Sequence, residues 1–325
     1  MGDRRAMLKR LRITMNKFHD NGDFKKVRTL GSGAFGCVDL CTVEVEKTYA
    51  KKGDQVAVKR FFSISKREMA KKEIMILMKL KHEFIVAFLD HFKDSMGRLA
   101  IVMEFCDEGT LEDFLTACPF KPYPEFCVWR LVWQFSTALS FLHGQHPPIR
   151  HNDLKPANIL CRSEPGVDGF VNIKIADFGV CNVLGKIMEH TWLVRYFVFH
   201  IFFSLGETPS AMYYHAGPGG GTVCYMAPEV LRGCDPHITT SADMWSLGAV
   251  LSFIANDREH LFKREWDVFK WKGEKSPMKR QFKYPKLHTL VLSLLSLNKH
   301  RRPSAEDLLK EGRNHPERRD RDRNY

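Results

Sequence analysis

Residues 149–160 read Ile-Arg-His-Asn-Asp-Leu-Lys-Pro-Ala-Asn-Ile-Leu and hold Asp153, Lys155 and Asn158 between short apolar anchors. Phosphoryl transfer uses these residue types. A carboxylate accepts the proton of an attacking hydroxyl, a cation meets the migrating phosphate, and an amide oxygen can ligate Mg²⁺. A mixed polar loop is as often only a loop, so the stretch decides nothing alone. Two further blocks bear on it: Asp177-Phe178-Gly179 downstream, and Gly31, Gly33 and Gly36 with Lys59 upstream. Glycines let backbone N–H groups approach phosphates that a Cβ would hold off.

Such groups need elements to position them. Residues 24–30 alternate into the glycines and residues 38–43 resume a strand pattern, predicting a hairpin with its tip at 31–36. A Gly-x-Gly-x-x-Gly run can also open a dinucleotide fold, but that requires a helix directly after it, and here a strand follows. Gln55–Phe61 is a short apolar strand with Lys59 in it; a solitary strand lysine is ordinarily at an edge or snorkelling. Residues 66–81 place Ile74, Leu77, Met78 and Lys81 three to four apart, a helical period, with Glu68 and Glu73 on the same helix. Leu99–Glu104 is the next apolar strand. Residues 111–115 and Glu125–His143 read as helices, the second with Val128, Leu131, Val132, Phe135, Leu139 and Leu142 on one face. Residues 172–176 form a strand delivering Asp177, although a lone Asp after a strand is often a turn former.

From about residue 24 to 309, the order and spacing of these blocks resemble the eukaryotic protein kinase family. The resemblance implies a two-lobed α+β fold: a small antiparallel lobe with one helix (24–103), a hinge (104–107) and a larger, mainly helical lobe (108–311). It implies ATP and Mg²⁺ between the lobes. Gly31, Gly33 and Gly36 would cover the phosphates, and Lys59 would grip them while held by Glu73, with Glu68 a weaker candidate. Val38 and Ala57 would roof the adenine and Leu160 floor it. Met103 would be the gatekeeper, with the Glu104 carbonyl and the Cys106 amide on the adenine edge. All of these are also plausible plain core residues.

In the same family reading Asp153 is the catalytic base, Lys155 screens the γ-phosphate, and Asn158 and Asp177 hold metal. Thr222 lies between the catalytic Asp and Lys. Asp243 caps amides of the catalytic loop, and Arg302 partners Glu229. Lys155 within Asp-Leu-Lys-Pro-Ala-Asn is the serine/threonine pattern. Val180, β-branched after Asp-Phe-Gly, goes in the family with Thr over Ser.

Two features depart from the family pattern. Asn152 stands where most members have Arg, and a neutral amide cannot pair with a phosphate dianion. This puts control by activation-segment phosphate in doubt, although Thr208 and Ser210 lie on that segment. The segment from 177 to 229 is also long and contains an apolar run, 192–205, too short for a bilayer. Docking on the large lobe, a partner- or membrane-surface role, and an addition the fold never accommodated all remain open for it. The rival overall reading is a pseudokinase scaffold or a catalytically impaired product. Pseudokinases commonly lose the strand Lys, the catalytic Asp or the metal Asp; this chain keeps all three.

Bulk composition fits this frame. A chain of 325 residues, 44% hydrophobic and 27% charged, is long enough for two lobes, each with its own core. Nine cysteines without metal-like pairing argue for a reducing, intracellular setting. Residues 1–17 are basic without a long apolar core, so they do not read as a secretory signal. Position 6 is Ala where myristoylation of Gly2 wants Ser or Thr. The net charge of +12 is concentrated in residues 1–17 and 258–286. No zinc-type or aromatic-interleaved pattern points to specific nucleic-acid binding, and no transmembrane segment is expected. The expected partner is a protein substrate with a Ser or Thr acceptor. The charged tail after residue 311 has the composition of a disordered segment.

Overall fold

The computed structural model describes residues 22–33, 36–63, 67–120, 123–164, 170–183, 223–232, 239–256, 258–263, 265–271 and 285–313. The apolar run 192–205, Thr222, Thr208, Ser210 and both termini lie outside the described residues. The chain divides into two compact units, residues 1–107 and 108–325.

The first unit is an antiparallel five-stranded sheet with one helix. Its strands are β1 (Phe24–Ser32), β2 (Gly36–Val43), β3 (Gln55–Phe61), β4 (Phe88–Lys93) and β5 (Leu99–Glu104), in spatial order β1-β2-β3-β5-β4. Side chains alternate across a strand, and β3 shows what this does for Lys59. Val56 and Val58 enter a core with Phe24, Cys41, Val43, Phe92, Ala100 and Val102. Ala57 and Lys59 are therefore sent to the opposite face. The helix α1 (Arg67–Leu77) packs on β4 and β5 and buries Ala70, Glu73, Ile74, Ile76 and Leu77.

Two boundaries differ from the sequence reading. The β1–β2 ladder continues to the pair Ser32–Cys37, and Gly33 N–H donates to the Gly36 carbonyl at 2.9 Å, so the tip is shorter than 31–36. The helix ends at Leu77 rather than near Lys81. There Lys79 and Leu80 donate to the carbonyls three residues back, Ile76 and Leu77, at 3.0 and 3.1 Å, which tightens the backbone out of the α-helix.

The second unit is mainly helical. It contains α2 (Leu111–Ala117), α3 (Glu125–His143), α4 (Pro228–Leu231), α5 (Ser241–Ala255), α6 (Glu265–Lys270), α7 (Pro285–Leu294) and α8 (Ala305–Arg313). Thr110 starts α2 through a reciprocal capping box with Asp113. All six residues of the apolar stripe read on α3 are buried, and α8 packs against this helix. Helix α5 is buried on every side from Ala242 to Ile254. Its Gly248 permits a close helix approach: a Cβ there would lie 2.8 Å from the Leu294 Cβ of α7.

Two short ladders complete the unit. β6 (Ile149–Arg150) pairs with β9 (Asn182–Val183), and β7 (Ile159–Ser163) pairs with β8 (Val171–Ile175). They bracket the loops 151–158 and 176–181 and fix where each begins and ends.

Candidate active site

The site in the second unit is built outward from Asp243, which is fully buried in the first turn of α5. A carboxylate there is tolerable only with partners. Its Oδ2 accepts the His151 amide N–H and meets His143 Nε2, both at 2.9 Å, and its Oδ1 accepts the Asn152 amide N–H at 3.0 Å. Burial acts to raise its pKa. The hydrogen bond and charge of His143 and the Asn152 amide outweigh burial and hold the carboxyl below its usual range.

His151 carries this anchoring onward. Its Nε2 lies 2.9 Å from the Ala176 carbonyl, and its Nδ1 accepts the Asp153 amide N–H at 3.3 Å. With Nδ1 accepting, Nε2 is the ring nitrogen that donates to the Ala176 carbonyl. Phe178 is fully buried with its ring edge-on to His151, at 5.0 Å between centroids.

Asp153, Lys155 and Asn158 are brought together. Lys155 Nζ lies 2.8 Å from Asp153 Oδ2. Asn158 Nδ2 donates to that same oxygen and to the Asp153 carbonyl, both at 2.8 Å. Among the described residues, Asp153 Oδ1 and Asn158 Oδ1 have no hydrogen-bond partner. The Ala176 N–H donates to the Asn158 carbonyl at 2.9 Å, so Asp177 follows directly from a residue fastened to this loop. Asp177 itself has φ 62°, the left-handed region.

The first unit holds the other expected group. Lys59 Nζ sits 2.7 and 3.0 Å from the two carboxylate oxygens of Glu73, which is 2% exposed. Glu68 is exposed and pairs with Lys71 instead, which resolves the choice between the two glutamates. Val38 pairs with Lys59, and Ala57 with Met103, across neighbouring strands. Met103 and Cys106 are buried. Glu104 is tied through its own N–H and its carboxylate to Ala87, at 3.1 and 2.8 Å.

The three glycines differ. A Cβ at Gly36 would lie 2.2 Å from the Arg60 carbonyl oxygen, whereas Gly31 and Gly33 have open space around them. Leu160 belongs to the second unit, half-buried and bridged to Thr110. Thr222 lies outside the described residues.

Sequence reasoning missed His143, reading it only as the last residue of the helix Glu125–His143. It follows Leu139 by four residues and so continues the buried stripe of α3, a signal that was there to use. It also missed the Tyr225 hydroxyl contact with His260 Nδ1 at 3.0 Å, a tertiary pairing with no local signature. The expected Arg302–Glu229 pair is present, with Nη2 to Oε2 at 2.8 Å and further guanidinium bonds to the carbonyls of Ser241 and Ser296.

The donor types suit a hard divalent cation: the Asp177 carboxylate and the amide oxygen of Asn158, whose nitrogen is committed to Asp153. Among the described residues no three His, Cys, Asp or Glu side chains gather as a metal site. Oxygens from phosphates and water would have to complete the shell, as is usual for Mg²⁺.

A buried helix Asp capping a His-x-Asp loop, a strand Lys paired to a helix Glu, and an Asp-Phe-Gly turn together define a class. The chain belongs to the protein kinase family, whose protein kinase domain matches residues 24–312. It is 30% identical to calcium-dependent protein kinase 6 of Plasmodium berghei over 296 residues, 88% of this chain and 17% of that protein. It is 32% identical to the human serine/threonine-protein kinase ULK1 over 248 residues, 73% of this chain and 19% of that protein. Mouse serine/threonine-protein kinase Nek5 is 28% identical over 297 residues, 89% of this chain and 40% of that protein. The chain therefore spans well under half the length of these relatives.

Proposed function

We propose that this chain is an ATP- and Mg²⁺-dependent serine/threonine protein kinase. The observation that carries the reading is the arrangement around Asp153. Oδ2 is held by Lys155 and Asn158, and Oδ1 has no partner among the described residues and is available to a substrate hydroxyl.

In this reading Asp153 orients the hydroxyl and takes its proton, while Lys155 neutralises charge on the phosphoryl oxygens. Asn158 and Asp177 would hold Mg²⁺, which when bound offsets phosphate charge. Lys59, locked by Glu73, positions the phosphates, and Gly31 and Gly33 admit them close to the backbone. Val38, Ala57, Met103, Glu104, Cys106 and Leu160 receive the adenine. By family position Thr222 would supply a hydroxyl between Asp153 and Lys155. Little covalent chemistry is asked of the protein, so catalysis is positioning and electrostatics. Relatives named as serine/threonine kinases support the acceptor class, and Val180 supports a preference for Thr. The eight described cysteines form no disulfide, which supports an intracellular setting.

The test is γ-phosphate transfer to peptides differing only in Ser, Thr or Tyr, with Asp153→Asn beside the wild type. The variant is expected to lose about 10²–10⁴-fold in kcat, the usual worth of a positioned general base, at nearly unchanged nucleotide affinity. Thr peptides should be the best acceptors. Equal rates for variant and wild type would remove the assignment of Asp153, and a Ser or Tyr preference would remove that of Val180.

A further inference from the structure

We infer that Asn152 is a positioning residue, an uncharged clasp that fastens the Asp177-Phe178-Gly179 turn to the catalytic loop. The inference rests on the kinase reading of Asp153 and Asp177 and adds a working part to it.

Asn152 is the residue before Asp153 and has φ 71°, a left-handed conformation that Asn tolerates better than most residues. Its backbone N–H is spent on Asp243 at 3.0 Å. Its side chain is then free to reach outward, and Nδ2 donates to the Val180 carbonyl at 2.8 Å. Val180 directly follows Gly179, and its own side chain is 41% exposed, so apolar burial does little to hold it. Beyond it the chain regains regular pairing only at Asn182 and Val183, opposite Arg150 and Ile149.

Three of the bonds that join the two loops are His151 to the Ala176 carbonyl, Ala176 N–H to the Asn158 carbonyl, and Asn152 to the Val180 carbonyl. The first two lie before Asp177 and the third lies after it. The third fastens the turn carrying Asp177 on its far side, adding a hydrogen bond to the packing of Phe178 on His151. Donor and acceptor of this bond are both neutral, so the clasp needs no ionised or phosphorylated partner. Phosphate on the activation segment is then not required to place Asp177.

The experiment measures amide hydrogen exchange over residues 177–183 on the full chain without nucleotide, alongside steady-state kinetics, for two variants. Asn152→Gly keeps the left-handed backbone and the bond to Asp243 but removes the donor. Asn152→Asp keeps size and conformational tolerance but turns an acceptor toward the Val180 carbonyl.

Both variants are expected to exchange about two- to tenfold faster across 177–183, the range for losing one neutral hydrogen bond, with α3 amides unchanged as the fold control. The half-saturating Mg²⁺ concentration should rise and kcat fall by a similar factor, at constant peptide KM, with Asp worse than Gly. If residue 152 served only its backbone conformation, Gly would match the wild type in exchange and rate, and that result overturns the proposal. Phosphatase treatment should leave wild-type kcat unchanged; a loss restored by rephosphorylation also overturns it. An inactive wild type with the exchange pattern intact would instead count against the kinase reading and leave the clasp standing.

Discussion

Asp243→Asn isolates the buried carboxylate that anchors the catalytic loop. In the wild type, two carboxylate oxygens accept from three groups: His143 Nε2 and the His151 amide on Oδ2, and the Asn152 amide on Oδ1. Asparagine offers one acceptor and one donor in the same volume. With its oxygen at the Oδ2 position it keeps the first two bonds and sets an NH₂ against the Asn152 N–H. A buried donor left without an acceptor costs about 1–3 kcal/mol. By the tenfold-per-1.4 kcal/mol rule, that is about five- to 150-fold faster local opening.

Hydrogen exchange at the Asn152 amide reads this directly, and it avoids assigning one unfolding free energy to a two-unit chain. The wild type should also show an acid limb that the variant lacks. The folded carboxyl is held below its ordinary value. Its stabilising contribution is complete above the unfolded value of about 3.9 and is lost as pH falls through the lower folded value. Wild-type and variant protection should converge there. Wild-type exchange rates at the Asn152 amide in Asp243→Asn, at neutral pH, would refute the reasoning.

Two further substitutions probe the frame. Glu73→Ala removes both carboxylate contacts to Lys59 and should raise the KM for ATP and lower kcat by about tenfold or more, the loss of a charge-assisted pair. An unchanged KM and kcat would show that Lys59 needs no partner. Gly248→Ala forces a Cβ to within 2.8 Å of Leu294 and should destabilise the second unit by about 1–3 kcal/mol, seen as a lower thermal midpoint with Asp153 chemistry otherwise intact. A midpoint equal to the wild type would mean α7 yields at no cost.

What the sequence disclosed followed from local period. Val56 and Val58 flank Ala57 and alternate with Lys59, so both the strand and the opposite face for the lysine could be read in advance. The α3 stripe was equally legible, because six apolar residues recur on one side. The end of α1 was not, because Met78 and Leu80 continue an apolar period while the backbone tightens beneath them. The three glycines look alike in sequence, yet only Gly36 sits against a neighbouring backbone. His143 and Asp243 are a hundred positions apart, and no local pattern encodes that meeting. The capping of the loop by Asp243 was expected from family resemblance rather than from spacing.

Two of the three described non-glycine residues at positive φ are Asn152 and Asp177, at 71° and 62°. The left-handed conformation costs a residue with a Cβ about 1–2 kcal/mol, and it persists only where the surroundings over-determine it. For Asn152 the determinants are the bonds to Asp243 and to Val180. For Asp177 they include the bonds of the preceding Ala176 to His151 and Asn158, and the burial of the following Phe178 against His151. Every one of these tethers, the Val180 bond included, runs through a residue whose backbone is fixed by Asp243 or lies within five positions of Asp153. The strain is thus concentrated at the residue before the proposed base and at the proposed metal ligand. The charge that holds the loop sits on a helix buried on every side from Ala242 to Ile254. A loop supported this way can present Asp153 and Asp177 in one arrangement, and the amide of Asn152 tethers it from the solvent side.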